Sequence, residues 1–597
     1  MKKNLNLALI GNCTISALID SHAEIVWCCM PSFDSNPIFA SLLSEPKKEL
    51  INGIYRIDLA DFSHCEQHYQ KNTAIVETIL FDHHGNSVVI TDFAPRFQQY
   101  DRIYRPTTIV RRIKPQGYPK IRVHIRPVDI GSNSSYARIT GSHHIRFIGD
   151  QFSIRLTTDL SITHINQEKW FILNKEHNLI LGKDEPVKES IPREANRFFH
   201  KTAEFWRHWV SNLALPFEWQ EAVIRSAITL KLSAYEDTGA IVAAMTTSIP
   251  ESAHSGRNWD YRFCWLRDSF FTIHALNRLG ITTTMQQYLQ FIINIVIDMD
   301  DHHLQPVYCI NGEHEMPEEE IKTLSGYRGM GPVRIGNQAA QQIQHDIYGA
   351  IILSVTQMFF DERITPPGDQ CLFHILEAVG TKAVQFYNKP DAGLWELRGQ
   401  KHIHTFSSMM CWAATDRLAK IAAKLGLNTR QQYWQQQAYL IHKEIDQRGF
   451  NSEINSYTAT WDGKSIDASL LLACKLGFIA SSDPRFTGTV QAIENNLKPN
   501  RSPYLFRYVI PDDFGSPENA FTICSFWYIE ALASIGRKAD ARHLFEHLLK
   551  QRNHVGLLSE DISPQTGELW GNFPQTYSMV GIINCARILS QQWESIL

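Results

Sequence analysis

The run DAGLWELRG, residues 391–399, carries one glutamate directly after a tryptophan, Trp395-Glu396, with Gly393 two residues ahead of the tryptophan. A carboxyl against an aromatic wall loses hydration, and lost hydration favours the neutral form that a general acid needs near neutral pH. Taken alone, the nonapeptide reads equally well as a loop glutamate beside a half-buried tryptophan. Its place in the chain separates the two readings and also decides the fold. The run fills one of a series of long links between helical segments, and those links alternate with short ones.

After Pro216 the apolar periodicity is helical, and twelve segments can be marked, beginning near Glu218, Ser269, Met285, Gln338, Cys371, Ser407, Thr429, Ala468, Asp483, Asn519, Lys538 and Pro574. Links from even to odd segments are short, as at Leu279-Gly280-Ile281, Leu425-Gly426-Leu427 and Ile535-Gly536-Arg537. Links from odd to even run to roughly 15–35 residues, far above the usual connection. In an up-down array all the long links emerge at one end, and long loops on a rigid scaffold carry function. Alternating outer and inner helices imply an (α/α)6 barrel whose chemistry sits where the long loops enter the six inner helices.

The motifs fall at that end. NWDYRFCWLRD (258–268) precedes the second helix, GYRGMGPVRIGNQ (326–338) the fourth and DAGLWELRG the sixth. YLFRYVIPDD (504–513) precedes the tenth, and HVGLLSEDISPQTG (554–567) the twelfth.

Residues 1–190 read differently. Short β-branched and alternating runs are broken by turn signals at His83-His84-Gly85-Asn86, at Gly149-Asp150 and near Lys175–Asn178. They argue an antiparallel β-sandwich. The expected organisation is therefore multidomain β + α: a sandwich over 1–190, a linker helix over 191–215 and the barrel over 216–597.

Composition excludes several classes. The 597 residues are 44% hydrophobic and 20% charged with net charge −4 and no basic block, so neither nucleic acid nor an anionic membrane is an expected partner. No apolar run reaches the ~18 residues of a membrane helix. The opening MKKNLNLALIGNCTISALID is interrupted by Asn4, Asn6 and Asn12, which reads as a first strand rather than a signal peptide. Eleven cysteines without framework spacing suit reduced thiols and a cytoplasmic setting. His143-His144, His302-His303 and the His402/His404 pair lack a convincing third ligand, and Glu318-Glu319-Glu320 reads as a solvated face, so no metal is expected. No phosphate cradle and no GxSxG elbow occur, and no cofactor is expected.

Two carboxylates on opposite sides of a sugar bond can hydrolyse it, one protonating the leaving oxygen and the other activating water. Glu396 as acid and Glu560 as base are the candidates. Glu560 lies among polar residues, as suits a carboxylate kept ionised, although a solvated loop acid would look the same. Arg267-Asp268 at a helix entrance offers donors beside an acceptor, able to grip vicinal hydroxyls or to lock the loop as a salt bridge. Arg334 and Arg507 have similar potential. Trp259, Tyr261, Trp265, Tyr327 and Trp395 are candidate aromatic walls, with core packing the alternative for each. The sugar chemistry requires the two carboxyls about 6.5–9.5 Å apart if the reaction inverts.

At these motifs the chain resembles bacterial family 15 glycoside hydrolases, the glucoamylase and trehalase family. LALIGNCTISALID and EIVWCCMPSFDS resemble its N-terminal sandwich, and NWDYRFCWLRDS, SGYRGMGPVRIGNQA, GLWELRG, MCWAATDR, CSFWYIEAL and LLSED…GNFPQ its catalytic motifs in order. The resemblance implies inverting, exo-acting release of β-glucose from non-reducing ends. By position it implies Glu396 as general acid, Glu560 as general base, Arg267 and Asp268 as the grip on terminal glucose, and Arg507 as a further glucose-binding arginine. The chain departs from the family pattern at Ser407-Ser408, where a lysine is usual, at ENAF (518–521), and at His345 before Asp346.

The sequence reading is an inverting hydrolase of α-linked glucose ends, malto-oligosaccharide or glycogen, with α,α-trehalose as the alternative substrate for the same acid, base and grip. A phosphorylase, needing no carboxylate base, and a silent sugar-binding protein are remoter readings. Oligomeric state is not legible.

Overall fold

The computed structural model describes residues 3–44, 52–130, 136–298, 304–498 and 502–593. His302-His303 lies outside them. Alternation of buried and partly exposed side chains builds the first region, as along Val76–Asp82. A seven-stranded antiparallel sheet runs in the order Leu7–Gly11, Ser16–Asp20, Ile25–Cys29, Ile54–Leu59, Lys120–Arg126 and Phe171–Ile172, with Pro37–Phe39 beside the third strand. An eight-stranded sheet runs Ala137–Thr140, His144–Ile148, Ile154–Thr158, His177–Lys183, Thr108–Gln116, Ser87–Phe93, Val76–Asp82 and Phe62–Tyr69. The two share one core, in which Leu9 and Leu18 of the first meet Val88 and Ile90 of the second.

The turns at 83–86 and 149–150 join paired strands as the sequence implied. The turn near 175–178 does not. Phe171–Ile172 pairs with Lys120–Arg126 in one sheet, whereas His177–Lys183 lies between two strands of the other. The segment between them crosses from sheet to sheet, with the Leu173 N–H bonded to the Pro119 carbonyl at 2.9 Å.

The first sheet also faces the helices. Leu7–Gly11 is buried along its whole length, the Trp27 indole donates to the Met245 carbonyl at 2.8 Å, and Asn553 Nδ2 donates to the Leu5 and Leu7 carbonyls. Helix α1, Ile191–Ser211, buries Ala195, Phe198 and Ala203 against Ile75, Phe93 and Val110 of the second sheet.

The helical region follows as α2 (Gln220–Leu232), α3 (Leu266–Arg278), α4 (Thr283–Ile297), α5 (Asp346–Phe360), α6 (Gln370–Phe386), α7 (Thr405–Lys424) and α8 (Asn428–Arg448). It continues with a 3-10 turn Ala468–Leu472 running into α9 (Ala473–Leu476), then α10 (Pro484–Leu497), α11 (Thr522–Ser534), α12 (Lys538–Leu549) and α13 (Thr576–Leu589). Packing closes a ring: α3 on α5, α5 on α7, α7 on the 468–476 segment, that on α11, α11 on α13, and α13 back on α3. The ring helices are buried on all sides, α11 being apolar from Ile523 to Ala533 except at a few positions. The outer ones show one stripe, as in α8, where Trp434, Ala438, Ile441 and Ile445 are the buried residues. A helix hydrophobic all round belongs inside and a striped one outside. This is an (α/α)6 barrel.

One helix start differs from the sequence reading. The fourth begins at Asp346 rather than near Gln338, because the Asn337 side chain accepts the Ala339 N–H at 2.9 Å and closes a single 3-10 turn, Gln338–Gln341. The chain then stays extended until the His345 N–H reaches Asp391 at 2.8 Å. The eighth segment begins at Ala468 as expected, as a 3-10 turn with a short α-helix behind it.

Candidate active site

The links entering the inner helices, 233–265, 298–345, 387–404, 498–521 and 550–575, converge on one crevice. Asp391 anchors the central link. Its carboxylate takes the Ser407 hydroxyl and the His345 N–H, each at 2.8 Å, and faces His404 Nδ1 at 2.8 Å. Burial alone would lower His404, but the Asp391 carboxylate beside it holds it above its ordinary value. From that anchor the chain turns at Gly393, φ +67°, where a side chain would collide with the His404 ring. Glu396 follows in the left-handed region at φ 62°, a conformation a non-glycine residue holds only when its surroundings enforce it.

The Glu396 carboxylate receives the Trp265 indole N–H at 2.6 Å and lies 3.5 Å from an Arg267 Nη2. The expected partner, Trp395, lines the crevice but sends its indole N–H away, to Asp467 at 2.7 Å. The apolar wall expected from the sequence is therefore two N–H donors, one from Trp265 at the end of the link before α3 and one from Arg267 in the first turn of α3.

Arg267 and Asp268 open α3, both nearly buried and both lining the crevice. Arg267 Nη1 donates to Gln344 at 2.9 Å and to Asp346 at 3.2 Å. Burial raises the Asp268 carboxyl to about 7, against the pull of Arg267.

Glu560 lies behind the wall of the same crevice, fully buried and joined to it through Tyr261, which lines it. Its backbone is held on both sides, the Thr522 N–H donating to its carbonyl at 2.9 Å and its own N–H to Asn572 at 3.2 Å. Its Oε1 accepts the Tyr261 hydroxyl at 2.7 Å and its Oε2 the Asn572 N–H at 3.2 Å. Gly571, φ +74°, makes the close approach possible, because a Cβ there would stand 2.6 Å from Glu560 Cβ. Glu560 has no exposed surface, so the solvated setting expected of it does not hold. Burial, with Glu251 close by, pushes its carboxyl above the ordinary range, and Tyr261 and Arg507 oppose the rise.

The remaining candidates divide. Trp259, Tyr261 and Arg507 line the crevice. Arg507 is joined to Glu251 at 2.6 Å, and Trp259 donates to the same carboxylate at 3.0 Å. Arg334 stands outside, donating to the Gly256 and Asn258 carbonyls with its guanidinium 5.2 Å over the Trp259 ring, so it braces the aromatic wall instead of facing sugar. Tyr327 is also outside the crevice, with its hydroxyl on the Lys3 carbonyl and its ring edge-on to Trp570. The 3-10 turn Tyr327–Gly329 directs it toward the N-terminal strands. Glu318 is partly buried against Arg398 at 2.7 Å and Arg334 at 3.4 Å, which corrects its reading as a solvated face.

Sequence reasoning missed Glu251, Arg257, Gln575 and Tyr577, all lining the crevice. Glu251 had a usable signal, as an acid after Pro250 in the first long link.

A carboxyl in a crevice at the loop end of an (α/α)6 barrel, with a second carboxyl joined to the crevice wall through Tyr261 and a buried arginine–aspartate pair beside them, fits one class: an O-glycosyl hydrolase. The comparisons make the class particular. The model of glycosyl hydrolases family 15 matches residues 219–587, and that of the trehalase-like N-terminal region matches residues 4–155. A trehalase of Thermoplasma volcanium is 33% identical over 98% of this chain and 93% of its own. A trehalase of Mycolicibacterium smegmatis is 31% identical over 96% of this chain and 89% of its own. A bacterial glucoamylase complexed with acarbose shares the fold, with a TM-score of 0.68 at 13% identity over 98% of this chain and 94% of that one. The chain belongs to the glycosyl hydrolases of family 15. Among the described residues, no helix is long and apolar enough to cross a membrane.

Proposed function

We propose that this enzyme is an inverting hydrolase of α,α-trehalose. The observation that carries the chemistry is the link between the two glutamates. Trp265 binds Glu396 and Tyr261 binds Glu560, and these two rings stand edge-on with centroids 5.2 Å apart. Glu396 is the general acid, delivering a proton to the glycosidic oxygen as the bond to the terminal glucose breaks. Glu560 is the base, taking a proton from the water that attacks the opposite face of that glucose, so β-glucose forms first. Arg267 and Asp268 grip the hydroxyls of the terminal ring, and Arg507, fixed by Glu251, supports the wall beside the base. The next turnover needs the proton returned from Glu560 to Glu396 through solvent.

The substrate choice rests on the relatives. Trehalases of similar length align over nearly the whole chain, whereas the glucoamylase likeness is one of fold. This favours trehalose over the α-1,4-glucan that the motifs first suggested. A reducing, cytoplasmic setting belongs to the same reading and is supported by eleven cysteines that are all free.

Incubation with trehalose, maltotriose and isomaltose in parallel, following glucose release, tests the assignment. Trehalose should be hydrolysed at least about tenfold faster in kcat/KM than either glucan, a difference of about 1.4 kcal/mol at the transition state. Faster turnover of maltotriose would replace trehalose by an α-1,4-glucan.

A further inference from the structure

We propose that Arg398 closes the leaving-group end of the crevice, so that the enzyme accepts one sugar beyond the scissile bond and rejects longer chains. The inference rests on Glu396 as the acid, since it places the leaving group relative to that residue.

Arg398 lies two residues after Glu396 and lines the same crevice. Its guanidinium stacks 4.4 Å over the Trp259 ring centroid. It donates to both Glu318 carboxylate oxygens, at 2.7 and 3.1 Å, and to Gln338 at 2.8 Å. The backbone N–H groups of Arg398 and Gly399 both donate to Asp513 Oδ2, at 2.8 and 3.0 Å. Four long links thus meet at one residue: 233–265 through Trp259 and 298–345 through Glu318 and Gln338 at its side chain, 387–404 through Arg398 itself, and 498–521 through Asp513 at its backbone. A second latch ties the first and last of these, the Arg257 guanidinium gripping Asp512 with two bonds of 2.6 Å.

Direction along the crevice follows from burial. Arg267 and Asp268, which hold the terminal glucose, are 5% and 6% exposed at the mouth of the inner ring. Arg398 and Asp513 are the exposed end. With glucose on Arg267–Asp268 and its glycosidic oxygen at Glu396, the leaving sugar lies against the stacked pair of Trp259 and Arg398, which forms the end wall. A further unit would meet the clamp. One exposed ion pair is weak, but a planar guanidinium stacked on an aromatic ring of one loop and hydrogen-bonded to Glu318 and Gln338 of another, with its backbone tied to a third through Asp513, is held in place by all three.

The test is a length comparison in two linkages: trehalose against trehalose extended by one α-1,4-glucose, scoring only the α,α-bond, and maltose against maltotriose. In whichever linkage is cleaved, the extended substrate should have a kcat/KM at most about one-tenth that of the disaccharide. Arg398→Ala and Asp513→Ala should each raise that ratio at least about fivefold. Glu318→Gln, outside the crevice lining, should raise it in the same direction and keeps the test alive if the other variants misfold. An unmodified enzyme that handles both lengths equally, or variants that leave the ratio where it was, would overturn the clamp. Cleavage of maltose with trehalose untouched would end the trehalose reading, and the clamp would then stand or fall on the maltose pair.

Discussion

The hydroxyl of Tyr261 lies 2.7 Å from Oε1 of Glu560, a fully buried carboxyl that the proposed mechanism needs ionised as its base. A hydroxyl donated to a carboxylate stabilises the charged form. Tyr261→Phe removes the donor and keeps the ring that packs on Trp265. Glu560 should then give up its proton less readily, so the acid limb of the kcat/KM profile moves to higher pH. Loss of a hydrogen bond to a charged group, about 1.5–3 kcal/mol, should also cost about ten- to a hundredfold in rate at neutral pH. A pH–rate profile identical to that of the unmodified enzyme would detach Tyr261 from the base.

Glu396→Gln and Glu560→Gln separate acid from base. Each should lower kcat by about 10²–10⁴, the usual worth of a positioned proton-transfer group. Circular dichroism and the thermal midpoint should show both variants folded. Substrates with a good leaving group should rescue Glu396→Gln and not Glu560→Gln, because only the first has lost the proton for the departing oxygen. Proton NMR of the first-formed glucose should show the β anomer; the α anomer would exclude inversion.

Gly571→Ala tests how closely the base is fitted. The glycine holds φ +74°, where an alanine is strained by about 1–2 kcal/mol, and the added methyl would also stand 2.7 Å from Glu560 Oε2. Glu560 must shift, so kcat should fall by more than an order of magnitude while KM changes little. A variant with normal kcat would mean that Glu560 has slack in its site.

Much of the barrel was legible because its signal is repetitive. Short links such as Leu279-Gly280-Ile281 against long ones such as 387–404 mark which helices are inner, and the ring from α3 to α13 follows that alternation. Glu396, Arg267 and Asp268 could be placed at the crevice from the sequence because each stands in a motif, Glu396 within a long link and the other two at the helix start that such a link enters. The partners were not. Trp395 adjoins Glu396 in the chain, yet Trp265, 131 residues away, is the indole that reaches it. Sequence adjacency is a poor guide in a left-handed turn, since the backbone at Glu396 rotates its side chain away from its neighbour. Tyr327 and Arg334 lie in a link whose described residues reach the crevice at Asn337, Ala339 and Gln342, and a link's length does not tell which part of it faces inward. The burial of Glu560 was hidden for a related reason: its own backbone pairs with Thr522 and Asn572, distant in sequence or beyond the next turn, and these enclose it.

Asp268 links the proposed sugar grip to stability. Burial raises its carboxyl to about 7, whereas in the unfolded chain it titrates near the ordinary aspartate value of about 3.9. Between those values the folded protein holds a proton that the unfolded chain has lost, so stability falls as pH rises from about 4 to about 7 and is flat above that. The shift corresponds to a few kcal/mol at most, on the order of 1.4 kcal/mol per unit. Asp268→Asn has no such titration. Its thermal midpoint, compared with that of the unmodified enzyme at several pH values, should gain with rising pH up to about 7 and then keep a constant lead, while its KM for substrate rises at every pH. A midpoint difference that does not vary with pH would show that the aspartate carries its charge in the fold without penalty, held by Arg267, and that burial is not what sets its proton affinity.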